Sequence, residues 1–174
     1  LASNENPLGG SDKVTTALEN LTTDFFATYP GAFHHPLKAK IAERWSLSAE
    51  QIVLSNGSDA LFTLIYTLFC LHQNKHVLTH QHCFPSYPIQ AKGLGIPIKQ
   101  IPLNEDWKWT TSSFIAECRE DTGVIIFANP NNPTGVKCSQ AAIIEILEQT
   151  PDNIIVVVDE AYYEYAYTDS NDSA

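Results

Sequence analysis

Residues Ile154–Tyr163 read IIVVVDEAYY, and this stretch limits the architectures open to the chain more than any other. Ile154 to Val158 are consecutive apolar, β-branched side chains. A strand with one wet face alternates apolar and polar residues. An unbroken run reads as a strand buried on both faces, as in a parallel sheet covered by helices. The run stops at Asp159. In open α/β sheets, ligands sit beyond the carboxyl ends of the strands. A carboxylate at such an end is either solvated in a loop or directed at a positive partner, because a bare buried charge is too costly.

A second apolar run, Val124–Phe127, leads into Ala128–Gly135, which reads ANPNNPTG. Two prolines and a glycine make a rigid loop, able to hold the amides of Asn129, Asn131 and Asn132 in fixed positions. Alone, this is an ordinary Asn/Pro/Gly turn. Followed by an apolar strand that ends in DEAY, it becomes a specific signal.

The rest of the chain alternates between strand and helix patterns. Strands are expected at Ile52–Ser55, His76–His80, Ile96–Ile101, Val124–Phe127 and Ile154–Val158. Helices are expected over Ser11–Leu21, capped by Ser11 or Asp12, and from Pro36 with Leu37, Ile41 and Trp45 on one stripe. Further helices are expected from Ala60 to about Leu71, from the Cys83–Tyr87 segment to Gly93, over Ser112–Cys118, and over Ala141–Gln149 after a Ser139 cap. Ser48–Gln51 fits a capping box. Leu1–Gly10 reads as an extended arm, Phe25–His35 as a loop and Tyr167–Ala174 as a frayed tail. This order implies an α/β fold: three αβα layers on a largely parallel, doubly wound sheet. The expected division is an N-terminal arm and helix over 1–25 and a partial α/β domain over 26–174.

Asn56-Gly57-Ser58-Asp59 joins an expected strand to a helix start. The first amides of a helix lack intrahelical partners, so such a turn is an anion site; Ser58 or Asp59 is also expected to cap the helix. The segment is neither GxGxxG nor a P-loop, which counts against dinucleotides and triphosphates. Phe84 reads either as a core aromatic or as a ring that stacks on a flat ligand. His72, His76, His80, His82 and Cys83 cluster in sequence, but strand and helix-end spacing scatters their side chains, and no metal site is expected.

The net charge of −10, with no basic cluster, argues against a nucleic-acid partner. No apolar run approaches the roughly 20 residues of a membrane-spanning helix. Cys70, Cys83, Cys118 and Cys138 show no CxxC spacing and read as reduced, packing thiols, in keeping with a cytoplasmic location. The chain opens on Leu1 and contains no Met, so it reads as an internal piece of a longer protein.

Together, NNPTG, VVVDEAYY, SNENPLG near the start, YPG and NGSDA resemble the fold-type I pyridoxal-phosphate (PLP) aminotransferases, and most of all the histidinol-phosphate aminotransferase family. The resemblance covers nearly the whole chain. It implies PLP as cofactor, with Asp159 on the ring nitrogen and Asn132 and Tyr162 on the ring's phenolate oxygen. The amides of Ser58 and Asp59 would hold the phosphate, joined by Tyr29 from the partner subunit of a homodimer. Phe84 would cover the ring, and Asn6 would lie near substrate. Asp159 and Tyr162 would then be the catalytic residues of this chain. The implied reaction is amino transfer from histidinol phosphate, a small amino donor, to 2-oxoglutarate in histidine biosynthesis. Threonine-phosphate decarboxylation and aromatic amino transfer remain alternatives on the same scaffold, as does a non-catalytic fragment that binds PLP weakly. The family often has an acid where Gly31 stands and Glu where Ala60 stands. Its Schiff-base lysine follows the strand ending at Asp159, where this chain has none, and its C-terminal half and small domain find no counterpart. The 174 residues alone are therefore expected to be inactive.

Overall fold

A computed structural model describes residues 4–29 and 35–166, and the chain divides into two compact units, Leu1–Leu54 and Ser55–Ala174. The expectations for Leu1–Ser3, for Pro30–His34 and for the tail from Tyr167 lie outside the described residues.

The first unit carries helices α1 (Asp12–Glu19), α2 (Thr23–Phe26) and α3 (Pro36–Trp45), then a 3-10 turn, Ala49–Gln51. Ser11 caps α1 by accepting from the Lys13 amide, and Pro36 opens α3 behind a His35 cap. Both bonds of the Ser48/Gln51 capping box are present. Helix α2 takes in Phe25 and Phe26, so the expected loop begins with a helical turn. Among the described residues of this unit, only Ala42 and Ile52 are buried. Ile52–Ser55 is not a strand. A short β-branched run becomes a strand only where a ladder receives it. Here Ile52 alone is buried, Val53 is 61% exposed, and neither enters the sheet.

The second unit is built on four strands, β1 (His76–His80), β2 (Ile98–Ile101), β3 (Thr122–Ala128) and β4 (Ile155–Asp159). They lie in the order β2-β1-β3-β4, every neighbouring pair parallel. The chain therefore winds outward from β1 to β2, crosses back over β1 to β3, and winds the other way to β4. The point between β1 and β3 where the order reverses is where open α/β sheets bind ligands.

Two cores cover the two faces, and β3 shows the two-residue period that feeds both. Val124, Ile126 and Ala128 pack with Phe62, Tyr66, Cys70, Tyr87 and Ala91. These come from α4 (Ser58–Tyr66), the π-helical turn Thr67–Leu71 that continues it, and α5 (Ser86–Gly93). Ile125 and Phe127 point the other way, to Trp109 and to Phe114, Ile143 and Ile146 from α6 (Thr111–Ile115) and α7 (Gln140–Gln149). The layers are thus helix, sheet, helix. Strands β1 and β3 are buried throughout, but β4 is only half-buried along Ile155–Asp159 rather than buried on both faces, because it ends the sheet and no strand among the described residues pairs its outer edge. Ser139 caps α7 through the Ala142 amide. A Thr110/Ser113 capping box starts α6 one residue before the expected position, and the helix ends at Ile115 rather than Cys118. Among the described residues no helix is long and apolar enough to cross a membrane.

Candidate active site

Asp159 is the last residue of β4, in register with Ala128 at the end of β3. The Asn129 amide donates to the Asp159 carbonyl at 2.9 Å, which locks the two strand tips side by side. The Asp159 side chain accepts from both sides: Tyr87 Oη donates to Oδ2 at 2.8 Å, and the Ala161 amide donates to Oδ1 at 3.2 Å. Tyr87 is fully buried near the start of α5, and its ring meets Phe62 and Phe84 edge-on. Burial, reinforced by the neighbouring Asp159 charge, pushes the Tyr87 hydroxyl well above the usual tyrosine range. Burial likewise raises Glu160, with help from Glu164 and Asp159.

The loop after β3 divides its three asparagines between two tasks. Asn129 accepts from the Cys138 amide at 2.8 Å. Asn131 donates to the His82 carbonyl at 3.1 Å and to Thr134 Oγ1 at 2.9 Å, while its backbone bonds Gly135 and Val136. Two side chains staple the loop to itself and to the end of β1. The third, Asn132, lines a cavity. The peptide bonds Asn129-Pro130 and Asn132-Pro133 are cis.

Helix α4 begins differently from the sequence expectation. Its cap is Gly57, at φ +80° and ψ 172°, and among the described residues no side chain caps the first turn. Ser58 already has helical backbone, so it cannot cap. The Asp59 carboxylate turns instead to Ser86, whose hydroxyl donates to it at 2.5 Å and ties the start of α4 to the start of α5. The first amides of α4 are left for an outside acceptor.

One cavity of about 180 Å³ is lined by Ser58, Phe84, Asn132, Asp159 and Tyr162, with Ala128 and Ala161 between them. It lies at the tips of β3 and β4 and the segment following β1, the position the winding marks out. Asp59 is not among the lining residues. The lining contains an aromatic face, a carboxylate, an amide, a phenol and an open helix start, and no lysine or arginine. Lys137 is exposed and donates to the Ala166 carbonyl at 3.3 Å. Arg44 lies over the Trp45 ring and Arg119 sits 3.9 Å from Glu117.

Asn6 and Tyr29 belong to the first unit. Asn6 closes a local turn, donating to the Gly9 carbonyl and accepting from the Leu8 amide, and Tyr29 is 99% exposed. The sequence reading missed Tyr87 and Ser86. Their partners lie 72 and 27 residues away, and a tyrosine three positions after Phe84 at a helix start was the one local sign. His76 bonds Thr122 and His80 bonds the Gln81 carbonyl. Among the described residues, no three His, Cys, Asp or Glu side chains gather as a metal set. Burial raises the Cys70 and Cys138 thiols to about 11, so they pack rather than react.

The sequence matches the family "Aminotransferase class I and II" over residues 1–174. It is 45% identical over 166 residues to histidinol-phosphate aminotransferase 2 of Legionella pneumophila (strain Lens), covering 95% of this chain and 45% of the relative. It is 40% identical over 169 residues to histidinol-phosphate aminotransferase 1 of Idiomarina loihiensis, covering 97% of this chain and 45% of the relative. The chain thus spans under half the length of these curated relatives. Histidinol-phosphate aminotransferase from Sinorhizobium meliloti, solved with pyridoxal-5'-phosphate, shares the fold with a TM-score of 0.84 at 24% identity, over 98% of this chain and 45% of that one. On the match along its whole length, the chain belongs to the class I and II aminotransferases, a PLP-dependent family.

Proposed function

We propose that the chain is part of a histidinol-phosphate:2-oxoglutarate aminotransferase of histidine biosynthesis. The observation that carries this reading is the cavity at the strand tips, where Ser58, Phe84, Asn132, Asp159 and Tyr162 meet. PLP is a flat aromatic ring with a phosphate, a basic nitrogen and a phenolate oxygen. The residues present fit each part. The start of α4, which no side chain caps, suits a dianion, because its first-turn amides and helix dipole favour negative charge. Phe84 offers an aromatic face, and Asp159 offers a carboxylate anchored on both oxygens.

When bound, PLP supplies an electron sink for the bond broken at the substrate's α-carbon. Asp159 holds a proton at the ring nitrogen, which keeps that sink effective. Asn132 and Tyr162 donate hydrogen bonds to the phenolate oxygen. The Ser58 and Asp59 amides bind the phosphate, and Phe84 orients the ring and excludes water from one face. Tyr29 from the partner subunit of a cytoplasmic homodimer completes the phosphate site, and Asn6 contacts substrate. The lining has no lysine to move the α-carbon proton, and in this reading a longer protein supplies it beyond the strand that ends at Asp159.

The test is Asp159→Ala in the full-length protein. Turnover of histidinol phosphate with 2-oxoglutarate should fall on the order of a thousandfold, the scale of losing a preorganised electrostatic partner. A folded variant with near-normal rates would sink the assignment.

A further inference from the structure

We infer that Tyr87 is a positioning residue for the proposed reaction, fixing the Asp159 carboxylate through its hydroxyl while its ring braces Phe84. The inference rests on the role given above to Asp159. An aspartate carboxylate turns easily about its last torsion. Here that turn is stopped by two donors of different origin: Tyr87 Oη on Oδ2 at 2.8 Å and the Ala161 amide on Oδ1 at 3.2 Å. One donor comes from α5 and the other from the turn after β4. The Tyr87 ring cannot swing away, because it is fully buried, with the Phe62 ring at 5.0 Å and the Phe84 ring at 5.7 Å, each nearly perpendicular to it. Phe84 and Asp159 both line the cavity. A single buried side chain therefore sets the distance between the stacking face and the carboxylate, the two groups that must meet different parts of one flat ring. Burial and the Asp159 charge keep the hydroxyl protonated, so it acts as a donor throughout the working range.

A purely structural role predicts something different: losing the hydroxyl would then change stability alone. The experiment compares Tyr87→Phe with Phe62→Leu in the full-length protein. Phe62→Leu loosens the packing around the Tyr87 ring without touching its hydroxyl. In cofactor-free protein labelled at the aspartate carboxyl carbon, Tyr87→Phe should shift the Asp159 resonance, and Phe62→Leu should lower the melting temperature and leave that resonance in place. With PLP added, Tyr87→Phe should weaken cofactor affinity about tenfold, the scale of one hydrogen bond to a charged group. It should lower kcat about tenfold, with KM for the amino donor within about twofold. An unmoved Asp159 resonance in Tyr87→Phe, or equal losses of PLP affinity in both variants, would overturn the inference. Should Tyr87→Phe fail to fold, 3-fluorotyrosine at position 87 changes donor strength at nearly constant shape, and an unmoved resonance there overturns it equally. Failure of the parent protein to bind PLP overturns the proposed function instead, while the carboxyl resonance still decides whether Tyr87 holds Asp159.

Discussion

Single residues at this site are readable from sequence to the degree that their role follows from local position. Asp159 stands at the break between an apolar run and a polar turn, Asn132 in a proline-bound loop, and Phe84 just past a strand. Position alone brings all three to the same end of a parallel sheet, and they line one cavity. Ser58 and Asp59 were legible as a helix start, but the division of labour was not. The positive φ of Gly57 makes the glycine the cap, and Ser86, whose identity as partner no local pattern reveals, takes the Asp59 carboxylate. His80 carries a prediction of its own. It is 1% exposed, its Nδ1 faces the Gln81 carbonyl at 2.6 Å, and its Nε2 has no partner among the described residues. Facing a carbonyl, Nδ1 must carry the proton, so a second proton would go onto buried Nε2. Burial accordingly holds the pKa below the usual 6.5. The unfolded chain, with an ordinary imidazole, takes up that proton near pH 6.5, and the folded chain does so only at lower pH. Between the two values the unfolded state binds more protons, so stability falls as pH drops below about 6.5. Melting temperatures from pH 8 to pH 5 should show this decline, with a shallower slope in His80→Leu. Parallel slopes would assign the acid sensitivity to other groups.

At the scale of elements, caps and apolar runs carried most of the information. Ser11, Pro36, Ser48 and Ser139 each begin the element expected of them, because a cap acts over three or four residues and needs no distant partner. Strands depend on partners. His76–His80 and the runs ending at Phe127 and Val158 found a ladder, and Ile52–Ser55 did not, although its composition is equally strand-like. The expected long helix from Ala60 begins at Ser58 and changes at Thr67 into a π-helical turn. That turn passes close over the start of β3. A Cβ at Gly123 would lie 2.6 Å from the Phe69 carbonyl oxygen and 2.7 Å from Cys70 Sγ. The first obstacle is backbone, so it cannot move aside as the end of a side chain would. Gly123→Ala should therefore force the turn off the sheet and cost about 1–3 kcal/mol, the range for overpacking a core. Urea denaturation reads this directly. An unchanged midpoint would mean that the π-helical turn shifts freely over β3, and the close approach would then have no structural weight.

At the scale of the whole molecule, the 174 residues supply most of the proposed cofactor contacts and lack the group that would move the substrate proton. Amino transfer needs a base at the α-carbon, and in this chemistry a lysine both holds the cofactor and carries that proton. None of the chain's lysines lines the cavity. Lys137, which follows the NNPTG loop most closely, lies exposed against the Ala166 carbonyl, and Lys99 is paired with Glu117. The cavity also lacks an arginine, so within one chain the dianionic phosphate would depend on the α4 amides. A helix terminus contributes only about 1 kcal/mol toward a charge. The purified 174-residue chain should therefore bind PLP weakly and without a covalent bond. Mixed with PLP, histidinol phosphate and 2-oxoglutarate, it should give no repeated turnover, and borohydride should label surface lysines at random. Trapping of PLP on one lysine, or multiple turnovers by the chain free of any longer enzyme, would mean that a lysine reaches the cavity in solution and that the division of chemistry proposed here is wrong.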